Sequence, residues 1–212
     1  MALLSGFFGD KGQDSREARF WKWFQSNGQE LFNAPTAANP HFDGVKRELS
    51  KVRPGLTFEV SRIENGKREL VISADGNRDA FPAVKRLVAA APSMSNWYVT
   101  AFRPRESRSL TSLRIEMGGI TLDPEDIWFA ARPPASGSGV ELLFAIRGMT
   151  TQNIEKYMRA AIILMETALG EYDAVMKVRS VRAIKLPDDP SRLRPFTALP
   201  AFIDGVTVDE NV

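Results

Sequence analysis

The chain has no cysteine and only one histidine, His41. The lack of cysteine excludes disulfides, thiolate metal sites, iron–sulfur clusters and cysteine nucleophiles. A single imidazole excludes mechanisms that need two, including zinc hydrolysis by an H-E-x-x-H motif. The motif G-x-S-x-G is also missing, and its nearest match, Gly137-Ser138-Gly139, is typical of a hairpin loop. We therefore predict no cofactor and no metal site.

Neither an excess of one charge nor a long hydrophobic run is present. The 28 basic and 26 acidic side chains give a net charge of +2, which does not by itself indicate a polyanionic partner. The apolar start, residues 1–9, lacks a basic region and is too short for a signal peptide or a membrane span, and we expect residues 1–13 to form a loose arm. These features predict a cytoplasmic protein without membrane contact, and they disfavour nucleic acid as a partner.

What the chain does have is the composition of a soluble globular protein, with 43% hydrophobic and 25% charged residues in a length of 212. That length suffices to bury a full core. We expect one globular domain over residues 1–212 of the α+β class.

The stretch at 68–105 carries the clearest pattern. Apolar side chains on both faces of residues 69–74 indicate a strand that is covered on both sides, and the charged Arg68 and Asp75 mark its ends. Asp79 is the expected N-cap of the helix that follows, with Pro82 in its first turn. Residues 96–102 again have strand composition. A helix that connects two strands of one sheet predicts parallel pairing.

The order hairpin, helix, strand occurs twice, at 56–105 and at 127–186. Asn65-Gly66 predicts a type I′ turn in the first hairpin. In the second copy, Thr150 or Thr151 should cap the longest helix, and Gly170 should end it. We therefore predict two ββαβ units, which would form a pseudo-two-fold repeat.

The remaining segments are predicted to surround these units. Residues 14–53 form N-terminal helices packed on the sheet, and Asp14 begins the first of them. Residues 106–126 form an irregular insert that contains a short hairpin, and the proline-containing segment 187–212 forms an extended strap with frayed last residues.

Trp21 and Trp23 make the first helix unusually aromatic. Either they fill space between the helix and the sheet, or they form an exposed patch that docks a partner or a membrane surface. We favour packing, because large aromatic side chains are mostly covered.

Five residues are candidates for ligand binding. Asp75 follows a strand and precedes a helix, where ligands of α/β sheets often bind, but it also suits a turn. Arg103 and Arg105 could clamp an anion, or they could be a solvated strand exit. Glu171 and Asp173 would share a face in an extended chain, as a divalent-ion or acid–base pair requires; an ordinary acidic connection is the alternative.

The predicted last strand, residues 175–186, is basic. Lys177, Arg179 and Lys185 should share one of its faces, and Arg182 should lie on the other. The strand could meet nucleic acid, but it lacks aromatic residues on which bases could stack. A strand edge protected from aggregation by its charges is the interpretation that we favour.

Three short motifs, ISADG at 72–76, W-x-V-x-AFRPR at 97–105 and LGEYD at 169–173, together resemble a family of bacterial cytosolic proteins without an assigned activity. The resemblance implies a bacterial origin and a single compact unit, and it implies no catalytic residue.

For function, we favour a soluble, non-catalytic binding or regulatory protein whose partner is a protein or a small anionic ligand. One alternative is a metal-dependent phosphoester hydrolase built on Asp75, Glu171 and Asp173 with Arg103. A second alternative is a nucleic-acid binder that uses the basic strand.

Overall fold

The computed structural model describes residues 15–35, 39–106 and 109–208. Five α-helices and three small sheets in these ranges make the protein α+β. The chain divides into two compact units: the first holds the residues up to Asp75 together with Asp79–Ala101, and the second holds Gly76–Arg78 together with the chain from Phe102 onward. The expectations for residues 1–13, for Asp14 and for 209–212 lie outside the described residues, and the single domain stays a prediction.

The first unit contains three helices and three strands. In chain order they are α1 (Arg16–Asn33), α2 (His41–Val52), β1 (Thr57–Val60), β2 (Arg68–Ser73), α3 (Phe81–Ala89) and β3 (Trp97–Ala101). The central strand β2 pairs antiparallel with β1 and parallel with β3. Asn65 and Gly66 in the turn between β1 and β2 have φ values of 50° and 75°, which confirms the type I′ prediction.

Aromatic side chains join the helices of this unit to its sheet. The rings of Phe24 and Trp97 lie 5.1 Å apart and nearly perpendicular, and the rings of Phe42 and Phe58 lie 5.7 Å apart. Leu70, at the centre of β2, is fully buried. Aromatic pairs at such distances add about 0.5–1.5 kcal/mol each to the burial of their area, so these contacts hold the helices on the sheet.

The helices α1 and α3 of the first unit begin in different ways. Ser15 is the N-cap of α1, and its hydroxyl accepts the N–H of Ala18 at 3.0 Å. The prediction that Asp79 caps α3 is wrong, because a 3₁₀ turn over Arg78–Ala80 precedes the helix. Pro82 does lie in the first turn of α3, where its missing N–H leaves no helical hydrogen bond unmade.

The second unit contains a small hairpin, a larger sheet and two helices. In chain order they are β4 (Ile115–Met117), β5 (Ile120–Leu122), β6 (Ile127–Arg132), β7 (Val140–Ile146), α4 (Ile154–Lys177), β8 (Val178–Lys185), β9 (Arg194–Pro195) and α5 (Leu199–Asp204). The larger sheet has the order β8-β7-β6-β9, in which β7 and β8 are parallel and the other pairs are antiparallel. The β4–β5 pair confirms the short hairpin predicted within residues 106–126.

One face of the larger sheet, here called the inner face, forms the core of this unit. Phe129 of β6 and Phe144 of β7 are fully buried on it, in one cluster with Leu164 of α4 and Ile203 of α5. Burial of each such side chain is worth roughly 1.5–3 kcal/mol relative to exposure, so this cluster dominates the stability of the unit.

The long helix breaks at Gly170, where the sequence predicts its end, since this residue has the non-helical values φ 73° and ψ 159°. The chain then resumes as helix to Lys177 instead of leading directly into a strand. Two other predictions for the second unit are wrong. Asn153 rather than Thr150 or Thr151 is the N-cap of α4. Residues 187–212 are not an extended strap, because Leu199–Asp204 is helical. Pro200 is compatible with that helix because it lies in the first turn. None of the helices in the described ranges has the length and hydropathy to cross a bilayer.

Candidate functional site

The carboxylate of Glu171 binds backbone N–H groups of the protein itself rather than a ligand. Its side chain is 5% exposed, and its two carboxylate oxygens accept the backbone N–H groups of Gly76 at 3.2 Å and Arg103 at 3.1 Å. The N–H of Glu171 in turn donates to the carbonyl oxygen of Arg103 at 2.9 Å. Hydrogen bonds to a charged acceptor are stronger than hydrogen bonds between neutral groups. Glu171 therefore fixes two separate chain segments to the second half of α4.

The break in α4 permits this arrangement. The chain at residues 103–105 approaches so closely that a Cβ at Gly170 would lie 3.0 Å from the nitrogen of Arg105 and 3.1 Å from the oxygen of Arg103. A φ of 73° with ψ near 160° is also a conformation that is essentially restricted to glycine. Glycine is therefore required at this position for two independent reasons.

Arg105 and Asp173 belong to a charge cluster in the same region. The guanidinium of Arg105 pairs with Asp173 and, at 2.6 Å, with Asp204, and the Nζ of Lys177 lies 3.2 Å from Asp173 Oδ1. The hydrogen bond that Arg105 donates to Asp204 raises the pKa of Arg105 and lowers the pKa of Asp204. Two positive and two negative groups cancel, so the cluster ties α4, α5 and the chain near Arg105 together without leaving a net charge for a ligand.

Asp75 lies in the other unit, at the end of β2. Its N–H donates to the hydroxyl of Ser73 at 2.9 Å, and its φ is 52°. Aspartate is one of the residues that adopt positive φ in turns, so this position fits a turn.

The structure places Trp21 in the core of the first unit. It is 2% exposed, and its indole N–H donates to the carbonyl oxygen of Leu87 at 2.7 Å. Trp23 is partly exposed, and its ring lies against α2, where a Cβ at Gly44 would be 2.5 Å from Trp23 Cζ2. Trp21 therefore packs and does not form a surface for a partner.

The face of the larger sheet that points away from the core, here called the outer face, differs in character. Its side chains follow from the strand register and form three rows across β6, β7 and β8: Arg132, Glu141 and Ser180; Ala130, Leu143 and Arg182; Trp128, Ala145 and Ile184. Ile184 is 41% exposed, and Trp128, Ala130 and Leu143 are partly exposed. The outer face thus combines an apolar floor with cationic side chains.

An open groove of about 240 Å³ lies on this face, over Ala130 and Leu143 and beside Arg182 and Ser180. The neighbouring Arg132 is already neutralised, because its Nε donates to Glu141 at 2.8 Å. Arg182, by contrast, is exposed and has no carboxylate partner within the part of the chain that the structure describes. The groove therefore offers one uncompensated guanidinium next to apolar surface.

The basic strand is shorter than predicted. Lys177 lies in α4 and not in β8, and its Nζ also donates to the carbonyl oxygen of Ile203 at 3.2 Å. Arg179 donates to the carbonyl oxygen of Ser138 at 2.8 Å. The register of β8 with β7 places Arg182 on the outer face and Lys185 on the opposite one, as the sequence predicts, whereas a register shift at Arg179 interrupts the alternation there.

Within the described ranges, no group of three or more histidine, aspartate and glutamate side chains is arranged to hold a metal ion. Comparison of the chain with protein-family models, with curated proteins and with solved structures finds no match. The function is therefore argued from the geometry of the two regions described above, the charge cluster and the outer face.

Proposed function

We propose that this protein is a non-catalytic binding protein that takes a carboxylate-bearing ligand on the outer face of its larger sheet. The observation that carries the proposal is Arg182, an exposed guanidinium without a carboxylate partner in the described residues, beside the groove over Ala130 and Leu143. A guanidinium binds a carboxylate through two parallel hydrogen bonds, which fixes both the position and the orientation of the ligand.

The size of the groove limits what it can hold. Pockets that enclose a whole small molecule usually measure roughly 300–1,000 Å³, and this groove has about 240 Å³ and is open. It suits one side chain or a short part of a chain, with the acidic group at Arg182 and an apolar part on Leu143. The ligand class that fits is an acidic peptide or protein segment.

The charge cluster around Arg105 is a less suitable binding site than the outer face. The carboxylate of Glu171 accepts two backbone N–H groups, and the carboxylates of Asp173 and Asp204 both meet Arg105. A ligand or a metal ion would have to displace these bonds, whereas a ligand at Arg182 displaces only water. Binding at the outer face therefore costs less.

The test is a titration followed by the backbone amide signals in two-dimensional NMR. The probe acetyl-VEVEVE-amide, added to about 1 mM, should shift the signals of Ala130, Leu143 and Arg182. The neutral probe acetyl-VQVQVQ-amide should shift them far less.

The matched variants are R182Q and R192Q. Arg192 is also exposed and lies before β9, at the opposite edge of the sheet. R182Q should abolish the difference between the two probes, and R192Q should preserve it. Equal shifts by both probes, or no shifts at all, would contradict the proposal.

We also infer that the chain contains two copies of a ββαβ unit. The support is topological: β1, β2, α3 and β3 pair as antiparallel and then parallel strands, and β6, β7, α4 and β8 do the same. The helices differ in length, 9 residues against 24. In an experimental structure the two sets should superpose strand for strand, and opposite crossover hands would argue against duplication.

A further inference from the structure

The strand β8 forms one edge of the larger sheet. Seven of its eight residues pair with β7, with a register shift at Arg179, and within the described residues no strand pairs with its other side. The opposite edge of the sheet is formed by the two-residue strand β9. An edge strand presents a row of backbone N–H and C=O groups that another extended chain can pair with. Beyond the shift, Ser180–Lys185 pair without interruption, and six residues are the length of an ordinary strand, so this part of β8 offers a full-length template.

The side chains of β8 are basic and carry no acid. Arg179, Arg182 and Lys185 are all exposed, and they occur at three-residue intervals along the strand. Between them, Ile184 is 41% exposed although it is a large apolar side chain. The edge thus combines unpaired backbone, regularly spaced positive charge and an apolar contact.

The charge of this edge decides what can occupy it. If β8 paired with β8 of a second copy, Arg179, Arg182 and Lys185 would face the same cations, and like charges directly opposite in a sheet are destabilising. An acidic strand would face them with opposite charges. The charge of the edge therefore disfavours self-pairing and favours an acidic partner.

We propose that β8 is the docking edge for an extended acidic peptide segment, which adds to the sheet as a fifth strand. This inference rests on the proposed function because both use Arg182. Here the segment lies along the edge of β8, and only the side chain that meets Arg182 reaches toward the groove. The added strand lies about 4.8 Å from β8 and continues its alternation of side chains. A carboxylate then meets Arg182 on the outer face, and an apolar residue two positions away meets Ile184.

The spacing of the cations gives the partner a pattern. Acids at three-residue intervals, separated by β-branched residues, would meet Arg182 and Lys185 in register, with the third acid next to Arg179 at the register shift, whichever direction the segment runs. The pattern E-x-x-E-x-x-E in an extended segment is the chemistry that recognises this edge. A run of acids without that spacing would match only one or two of the cations.

The probe is acetyl-EVTETVE-amide, and its matched control is acetyl-EEEVTTV-amide, which has the same composition and charge but lacks the spacing. We expect the spaced peptide to bind at least several-fold more tightly, and we expect it to protect amides of residues 178–185 from hydrogen exchange. R182E should weaken binding on the order of tenfold, and R192E should leave it unchanged.

Two further peptides test the backbone pairing directly. One carries N-methyl groups on alternate amides starting at the first residue, and the other starts at the second, so that only one of them blocks the N–H groups facing β8. The peptide whose N-methyl groups block the N–H groups facing β8 should bind at least about tenfold more weakly, because it loses several backbone hydrogen bonds. The other peptide keeps these bonds and should bind as the unmethylated peptide does.

The outcomes separate this inference from the function that it rests on. Binding to the outer face that ignores both N-methyl patterns and leaves the amides of 178–185 unprotected would overturn strand addition but keep the proposed function. No binding of any acidic peptide would overturn both. Tighter binding of the single-stranded oligonucleotide dT12 at the same edge, or sedimentation showing dimers that R182E disrupts, would also overturn the inference.

Discussion

The Nη1 atom of Arg68 lies 2.6 Å from the carbonyl oxygen of Ala34. The same atom lies 3.1 Å from the carbonyl oxygen of Leu31 and 2.9 Å from that of Phe32, and the Nε of Arg68 donates to Ser61 at 3.0 Å. The last carbonyls of a helix lack partners within it and carry its negative dipole end. A side chain of the central strand therefore caps the end of α1.

Replacing Arg68 with methionine should destabilise the protein strongly. R68M keeps most of the side-chain volume but leaves buried carbonyl oxygens at the end of α1 without donors, and each unsatisfied buried group costs about 1–3 kcal/mol. We expect a loss of about 3 kcal/mol or more in the free energy of unfolding, measured by urea titration. R62M, at an exposed position in the same unit, should change it by less than about 0.5 kcal/mol. Similar values for the two variants would refute the capping role.

Replacement of Glu171 by glutamine should destabilise the protein less than replacement by alanine. E171A removes the acceptor of two backbone N–H groups, and we expect it to cost about 2–4 kcal/mol. E171Q keeps one acceptor oxygen and should cost about half as much. Thermal and urea unfolding measure both values, and E155Q on the exposed first turn of α4 is the control. Equal stability of E171A and the wild type would show that these bonds are replaced by water.

Gly170 and Gly205 should respond differently to replacement by alanine. G170A forces a side chain into positive φ and against the backbone of residues 103–105, so we expect a loss of about 2 kcal/mol or more. G205A should be close to neutral, because Gly205 has φ −77° and its added Cβ would meet nothing closer than 3.5 Å. Calorimetry measures the stability of both variants. A G170A variant as stable as the wild type would mean that the break in α4 can shift to another residue.

Gly44 should be a position at which alanine destabilises a helix. Alanine normally favours a helix over glycine by about 1 kcal/mol, but a Cβ here would lie 2.5 Å from the ring of Trp23. G44A should therefore lower stability in the wild type and raise it in a W23A background. A double-mutant cycle measures that change of sign. Additive effects would show that Trp23 has room to turn away.

The pair formed by Arg105 and Asp204 should contribute to stability above acidic pH only. The pKa of Asp204 is below its ordinary value of 3.8 because Arg105 donates a hydrogen bond to it. The unfolded chain therefore takes up this proton first as the pH falls. The contribution is complete above the unfolded value and disappears as the pH falls through the folded one.

The corresponding experiment compares the melting temperatures of the wild type and D204N across a pH series. The wild type should be more stable near neutral pH, and the difference should shrink between about pH 5 and about pH 3. D188N, at an exposed aspartate outside the cluster, should follow the wild type at every pH. A difference between the wild type and D204N that stays constant down to pH 3 would contradict the assignment.

Local signals in the sequence were sufficient for the turns and for most strands. Asn65-Gly66 predicts its hairpin because the positive φ values are properties of those two residues alone. Arg68 shows the limit of such reasoning. A charged residue at the end of an apolar run has the same appearance whether it enters solvent or reaches carbonyls more than thirty residues away.

The candidate site was predicted only in part for the same reason. Arg103, Arg105, Glu171 and Asp173 do lie in one region, but their bonds join backbone and side chains far apart in sequence. Gly170 indicated the end of a helix, and nothing nearby signals that the helix resumes after it. The separate position of Arg182 was predictable, since alternation in a strand fixes the face of each side chain.

The pairing of β6 with β9 has a consequence for the order of folding. Trp128 pairs with Pro195, so this edge closes only after nearly seventy further residues are available, whereas β6 and β7 are joined by a short loop. Contacts between distant positions form slowly, because the chain between them must first lose entropy. During synthesis the free side of β6 therefore stays accessible to chaperones until the segment that covers it has left the ribosome.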